Sequence, residues 1–289
     1  MPIVWLASYP KSGNTWMRGF LANYLSGSGK PVHINDLARF SFGEHKAEYF
    51  ERLAGRPFDE LDAGTINALR PKVQRYIASQ DQNTIFVKTH SAVVELAGVP
   101  TIAADVTAGA LYIVRNPLDV AVSYAHHMGI TYDKAVEELA RSTTQLATTR
   151  HYAFQLLGSW SNHVTSWIAQ KAVLFGVVRY EDMARRPEDT FGKVVRALKT
   201  PVDKARLRQA VKNTAFGTLR AMEEDSGFIE ASRKAERFFR KGKVGDWRSE
   251  LSADQVARIV ADHGAMMRRF GYLDAKGKPI DGGPCKEVL

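Results

Sequence analysis

Four short apolar runs punctuate the chain, and each ends in a polar or cationic cluster. They are Ile3 to Ala7, Thr84 to Lys88, Ala110 to Val114 and Val173 to Val178. Runs this short and this uniformly apolar read as strands covered on both faces, which is the habit of a parallel sheet. Between them the spacing turns helical, over Thr15 to Leu25, Leu118 to Met128, Pro187 to Leu198 and Asp203 to Lys212. Ser252 caps a last amphipathic helix running from Ala253 to Phe270. Strands alternating with helices imply βαβ units, hence an α/β fold with a central parallel sheet flanked by helices.

Other segments carry weaker patterns. Residues 26–83 read as irregular apart from a helix over Asn67 to Ser79, and Tyr152 to Ala169 reads as an aromatic-rich helix. Residues 224–246 read as a long basic loop, and the Gly/Pro/Lys-rich tail after Asp274 as loose. Neither an internal repeat nor a linker stands out, so residues 1–289 are expected to form a single domain, with 275–289 as its tail.

In open α/β sheets, ligands bind beyond the carboxyl ends of the strands. Four clusters fall there: Lys11 to Thr15, Lys88 to His90, Arg115 to Ser123, and Tyr180. One polar strand end is routine, but four predict a shared site. Tyr9-Pro-Lys-Ser-Gly-Asn-Thr-Trp leads into a helix N-terminus, where backbone N–H groups and the helix dipole favour an anion such as a phosphate. Gly13 permits close backbone approach, Lys11 brings a mobile charge, and Ser12, Asn14 and Thr15 bring donors. The loop is not the G-x-x-x-x-G-K-[ST] of magnesium-dependent nucleotide hydrolases, because its lysine precedes the glycine. No acidic residue closes an apolar strand either; the strand ends are cationic, which suits an anion site without a metal.

A formal net charge of +9 agrees with a polyanionic partner, and equally with a merely cationic surface. One cysteine, Cys285, excludes a disulfide framework within the chain. Without a signal-like start or a long apolar run, neither export nor a membrane span is expected, and the expected location is the cytoplasm.

Taken together, the clusters closely resemble the cytosolic sulfotransferase family, whose donor is 3'-phosphoadenosine-5'-phosphosulfate (PAPS) and whose nucleotide product is adenosine 3',5'-bisphosphate (PAP). Residues 9–16 resemble its 5'-phosphosulfate loop and Arg115-Asn-Pro-Leu-Asp-Val-Ala-Val-Ser-Tyr its 3'-phosphate segment. Lys88-Thr-His90 resembles the segment with the catalytic base, Tyr180-Glu-Asp-Met the adenine-side element, and Arg240-Lys-Gly…Gly-Asp-Trp247 the C-terminal phosphate loop. These motifs run in family order from residue 9 to 247.

The resemblance implies a P-loop NTPase-like three-layer sandwich and sulfuryl transfer to a hydroxyl or amine of a small-molecule, glycan or lipid acceptor. It implies no metal and no nucleic-acid partner. It makes His90 the base, places Lys11 on the bridging oxygen, and puts Lys88 on the sulfuryl oxygens. Arg115 and Ser123 would take the 3'-phosphate, with Arg240, Lys241 and Gly242 closing over it. Trp16, Tyr180 and Phe216 would flank the adenine, with Thr214 donating nearby. His126 and His127 are rivals to His90. Acceptor walls are expected from residues 36–60, 126–160 and 224–238, with Phe40, Phe42, Tyr49, Phe50, Tyr152, Phe154 and Phe228 as the aromatic candidates. Two other readings compete: an ATP-dependent small-molecule kinase, and a basic nucleic-acid- or heparin-binding module.

Overall fold

A computed structural model describes residues 3–232 and 234–289. Its centre is a five-stranded sheet, β1 Ile3–Ser8, β2 Ser41–Gly43, β3 Ile85–Thr89, β4 Thr107–Val114 and β5 Leu174–Arg179, in the order β2-β3-β1-β4-β5. Every pairing is parallel. Register puts Ala7 beside Thr89, Ser8 beside Ile113, and Val114 beside Arg179. The strands therefore finish together, and the segments after β1, β3, β4 and β5 leave the sheet along one edge.

β1 alternates between two cores, as a strand covered on both faces must. Ile3, Trp5 and Ala7 face one apolar cluster, and Leu6 faces the other. On the Leu6 side pack α1 Asn14–Ser26, with Met17, Phe20 and Leu21, and the helices Pro187–Ala197 and Lys204–Asn213. On the Trp5 side pack the helices Ala63–Ala78, Pro117–Met128, Trp160–Ile168 and Ala253–Arg269. Each fully buried large side chain here contributes about 1.5–3 kcal/mol.

Three segments differ from the sequence reading. Residues 26–83 hold more structure than expected: the short strand β2, a helix Ala47–Ala54, and a helix beginning at Ala63, where Asp62 accepts from the Thr65 N–H. The expected helix from Tyr152 begins only at Trp160. Gly158 has φ +66 and Ser159 caps the helix, so the backbone turns there. Ahead of that turn, Gln155–Leu156 pairs with Gln145–Leu146. The C-terminal tail is not loose. The buried Arg179 guanidinium donates to the carbonyls of Phe270 (2.9 Å) and Gly283 (2.8 Å), and the Leu289 N–H donates to Val177 O at 3.0 Å. A buried guanidinium requires acceptors, and the tail's backbone supplies them. The described residues of the basic segment from Gly227 to Asp246 do lack helix and strand.

Candidate active site

The strand edge opens into a cavity of about 760 Å³. Lys11 and Gly13 line it from the first loop, Asn14, Thr15 and Trp16 from the start of α1, Lys88 and His90 from the end of β3, and Arg115 and Ser123 from beyond β4. Tyr180, Phe216, Arg240, Lys241 and Gly242 complete the wall on the other side. Two expected residues are absent from it. Ser12 is fully buried, and the Thr214 hydroxyl donates to Ala210 O at 2.8 Å, which ties it to its own helix. Among the described residues, no three His, Cys, Asp or Glu side chains are placed to share a metal ion.

The first loop owes its shape to backbone geometry. Lys11 has φ +66 and Gly13 φ +103. A Cβ on Gly13 would meet the Tyr180 ring at 2.7 Å, so only glycine lets loop and ring come together. Asn14 fastens the loop to the sheet by donating to Leu6 O at 2.8 Å. α1 has neither a side-chain N-cap nor an acid in its first turn. Its first N–H groups are thus left for an anion.

At one end of the cavity Arg115 donates to Lys11 O (3.0 Å) and Lys243 O (3.3 Å), and its guanidinium lies 4.2 Å from the Tyr180 ring centroid. Trp16 meets Tyr180 edge to face. Gly242 has φ +62, and a Cβ there would enter the Phe216 ring at 2.2 Å. Arg240 and Lys241 both reach the Asp246 carboxylate, and Lys241 also bonds Glu250 at 2.7 Å. Planar rings, an arginine fork and a charged loop form a receptor suited to a phosphorylated purine nucleoside.

At the other end stands His90. Its Nδ1 lies 2.7 Å from Ser8 O. A carbonyl oxygen only accepts, so Nδ1 carries the proton and Nε2 keeps its lone pair. Burial, then the nearby Lys88 charge, hold the imidazole well below the usual histidine range, so it is neutral at pH 7. The residues around it are pinned by the buried Glu44 carboxylate. This accepts from the Thr89 (3.0 Å) and Ser91 (3.2 Å) hydroxyls and from Gln155 Nε2 (2.9 Å), and it pairs with Arg70. The rivals divide. His126 bonds the Tyr132 hydroxyl outside the cavity, whereas His127 lines it, with a buried Nδ1 that has no partner.

Both catalytic-lysine candidates are engaged. Lys11 Nζ sits 3.8 Å from the centre of the Phe238 ring, and burial with the Arg115 and Lys88 charges lowers its pKa to about 7. Lys88 Nζ donates to Glu230 at 2.8 Å. Glu230 and its second partner, Arg18, escaped the sequence reading. For Glu230, one of several acids in that basic stretch, no local signal stood out; for Arg18, an arginine at a buried position of an apolar helix was the available signal.

The expected aromatic acceptor wall is mostly core. Of its candidates only Tyr152 lines the cavity; Phe50, Phe154 and Phe228 are buried elsewhere, and Phe40 stacks on Phe86. The wall beyond Lys88 is instead made of small aliphatic and polar groups, including Ala147, Ala153, Ile229, His45, Thr149 and Gln155.

Residues 2–271 match the sulfotransferase domain family. Among curated proteins, cytosolic sulfotransferase 5 of Arabidopsis thaliana is 25% identical over 88% of this chain and 76% of its own length. Flavonol 3-sulfotransferase of Flaveria bidentis is 22% identical over 89% and 78%. Among solved structures, retinol dehydratase in complex with androsterone and inactive cofactor PAP superposes with a TM-score of 0.63 at 18% identity, over 92% of this chain and 80% of that one. A mouse sulfotransferase complexed with PAP gives 0.58 at 20%, over 92% and 84%.

Proposed function

This chain belongs to the sulfotransferase domain family and is a PAPS-dependent sulfotransferase, and on that premise we propose that it transfers the sulfuryl group by in-line displacement to a hydroxyl or amine of a small or hydrophobic acceptor. The observation that carries this reading is His90. Its Nδ1–H is committed to Ser8 O, and its neutral ring brings Nε2 to the cavity that two lysines share.

In this reaction the acceptor O–H or N–H gives its proton to His90 Nε2 as the new bond to sulfur forms. The bond from sulfur to the bridging oxygen breaks, and the electron pair stays on the 5'-phosphate of PAP. Lys11 meets the charge that develops on that oxygen. A fixed cation at such a position is worth about 3 kcal/mol of barrier. Arg115, Ser123 and the Arg240–Gly242 loop hold the 3'-phosphate, and Trp16, Tyr180 and Phe216 bracket the adenine. Holding both reactants in line adds several kcal/mol more. The curated relatives include a flavonol and an amine sulfotransferase, which span the two acceptor chemistries. The small, mixed wall around His45 and Ala153 favours a compact acceptor with at least one polar group.

The test is incubation with sulfur-labelled PAPS and a panel of phenols, alcohols and amines. Label should move to at least one acceptor with one PAP released per transfer. Donor that binds while no member of the panel gains label and no PAP forms would contradict the reading.

A further inference from the structure

Among the described residues, Glu230 is the carboxylate of the basic segment that reaches the transfer end of the cavity, and it does not stand alone there. One Arg18 nitrogen, Nη1, lies 2.8 Å from Oε1 and 2.9 Å from Oε2, and Lys88 Nζ lies 2.8 Å from Oε2. Arg18 is built into the site. It is 1% exposed, projects from α1 just beyond the phosphate loop, and donates through Nε to Ser41 Oγ at 2.6 Å. Ser41 opens β2, whose Gly43 is in register with Lys88. Two cations from neighbouring elements thus converge on one anionic group, two residues before His90.

A buried arginine and a partly buried lysine with a single carboxylate between them form an anion site whose occupant comes from the chain itself. The sulfuryl end of PAPS carries one negative charge shared among oxygens, the same charge as a carboxylate. Resting on the function proposed above, we infer that Arg18 joins Lys88 in binding the transferring sulfuryl group, and that Glu230 fills this position until the donor displaces it. The same segment places Phe238 over Lys11 Nζ, so the second lysine also has a substitute partner from within the chain. An acceptor ammonium is a poorer match for Glu230, because Arg18 and Lys88 already face it.

PAP and PAPS differ by the sulfuryl group alone, so calorimetry with both, in the absence of acceptor, isolates this position. Glu230→Gln should raise the affinity for PAPS relative to PAP by about tenfold, the scale of one charge-assisted hydrogen bond no longer contested. Arg18→Met should lower that ratio by a similar factor and reduce kcat while PAP binding holds. Because Arg18 is buried, the Glu230 variant decides the matter if the arginine variant fails to fold. A ratio unchanged or lowered by Glu230→Gln would overturn the inference and make the carboxylate a permanent brace for Lys88. Failure of the unaltered protein to bind either nucleotide would instead overturn the donor assignment itself.

Discussion

The two ends of the cavity are built by different means. At the nucleotide end, cations are held by several fixed groups of the cavity wall and its surroundings: Arg240 and Lys241 by Asp246 and Glu250, and Arg115 by backbone carbonyls and the Tyr180 ring. Asp119 in turn accepts from the N–H groups of Gly245 and Trp247, which fixes the turn carrying Asp246. At the transfer end, cations are held by groups facing the reacting centre: Lys11 by Phe238, and Lys88 by Glu230. On the function proposed above, the first end is preorganised, and its charges are expected to stay in place when a ligand arrives. On the inference drawn above, the second exchanges partners, so its charges respond to what is bound. Only His90 departs from this division, being locked from behind by Ser8 O.

The largest expected effect falls on the transfer end. His90→Ala should lower kcat by about 10²–10⁴-fold, the range for lost general-base catalysis, while the heat of PAP binding stays near that of the unaltered protein. Loss of PAP affinity with turnover retained would move the base elsewhere, and His127 would be the next residue to change. The nucleotide end should give the opposite signature. Arg115→Ala should weaken PAP by about 10–100-fold and AMP far less, since a charged hydrogen bond is worth about 1.5–3 kcal/mol. Equal losses for both nucleotides would take this arginine away from the 3'-phosphate.

A smaller effect is expected from Lys241→Ala, below about tenfold in PAP affinity, because that half-exposed ammonium is already paired with Asp246 and Glu250. A larger loss would mean that the loop gives up those partners on binding, and the contrast between the two ends would fade. The last prediction concerns protons. Burial and neighbouring cations lower Lys11 to about 7, so above neutral pH much of it is uncharged in the free protein. An anionic donor favours the protonated form and raises that pKa. PAPS binding at about pH 8 should therefore take up a fraction of a proton, read from calorimetry in buffers of different ionisation enthalpy. No uptake would place Lys11 outside contact with the donor.

The fold was legible because each long strand of the sheet has a continuous apolar signature, and their polar ends mark one edge. β2 was not, because three residues, Ser41 to Gly43, carry no periodicity and pair only through β3. The helix boundary at Trp160 is masked in the sequence by an aromatic run that spans it, although Gly158 followed by the capping Ser159 is a turn-and-start signal. In the site, residues within local motifs are proposed from their place at strand ends and from the family resemblance. Arg18 and Glu230 could not be paired in that way, since 212 positions separate them and only the tertiary fold joins them. The aromatic acceptor wall failed for a related reason: composition does not say whether a ring faces a cavity or a core, and Phe50 and Phe154 face the core.

On the function proposed above, segments from four strand ends form one receptor for a doubly phosphorylated adenosine. Isothermal calorimetry of the purified protein with PAP tests it most directly. One molecule bound per chain, with AMP binding more weakly, is the predicted outcome. A folded protein that gives no heat with PAP, or that binds AMP equally well, would contradict it.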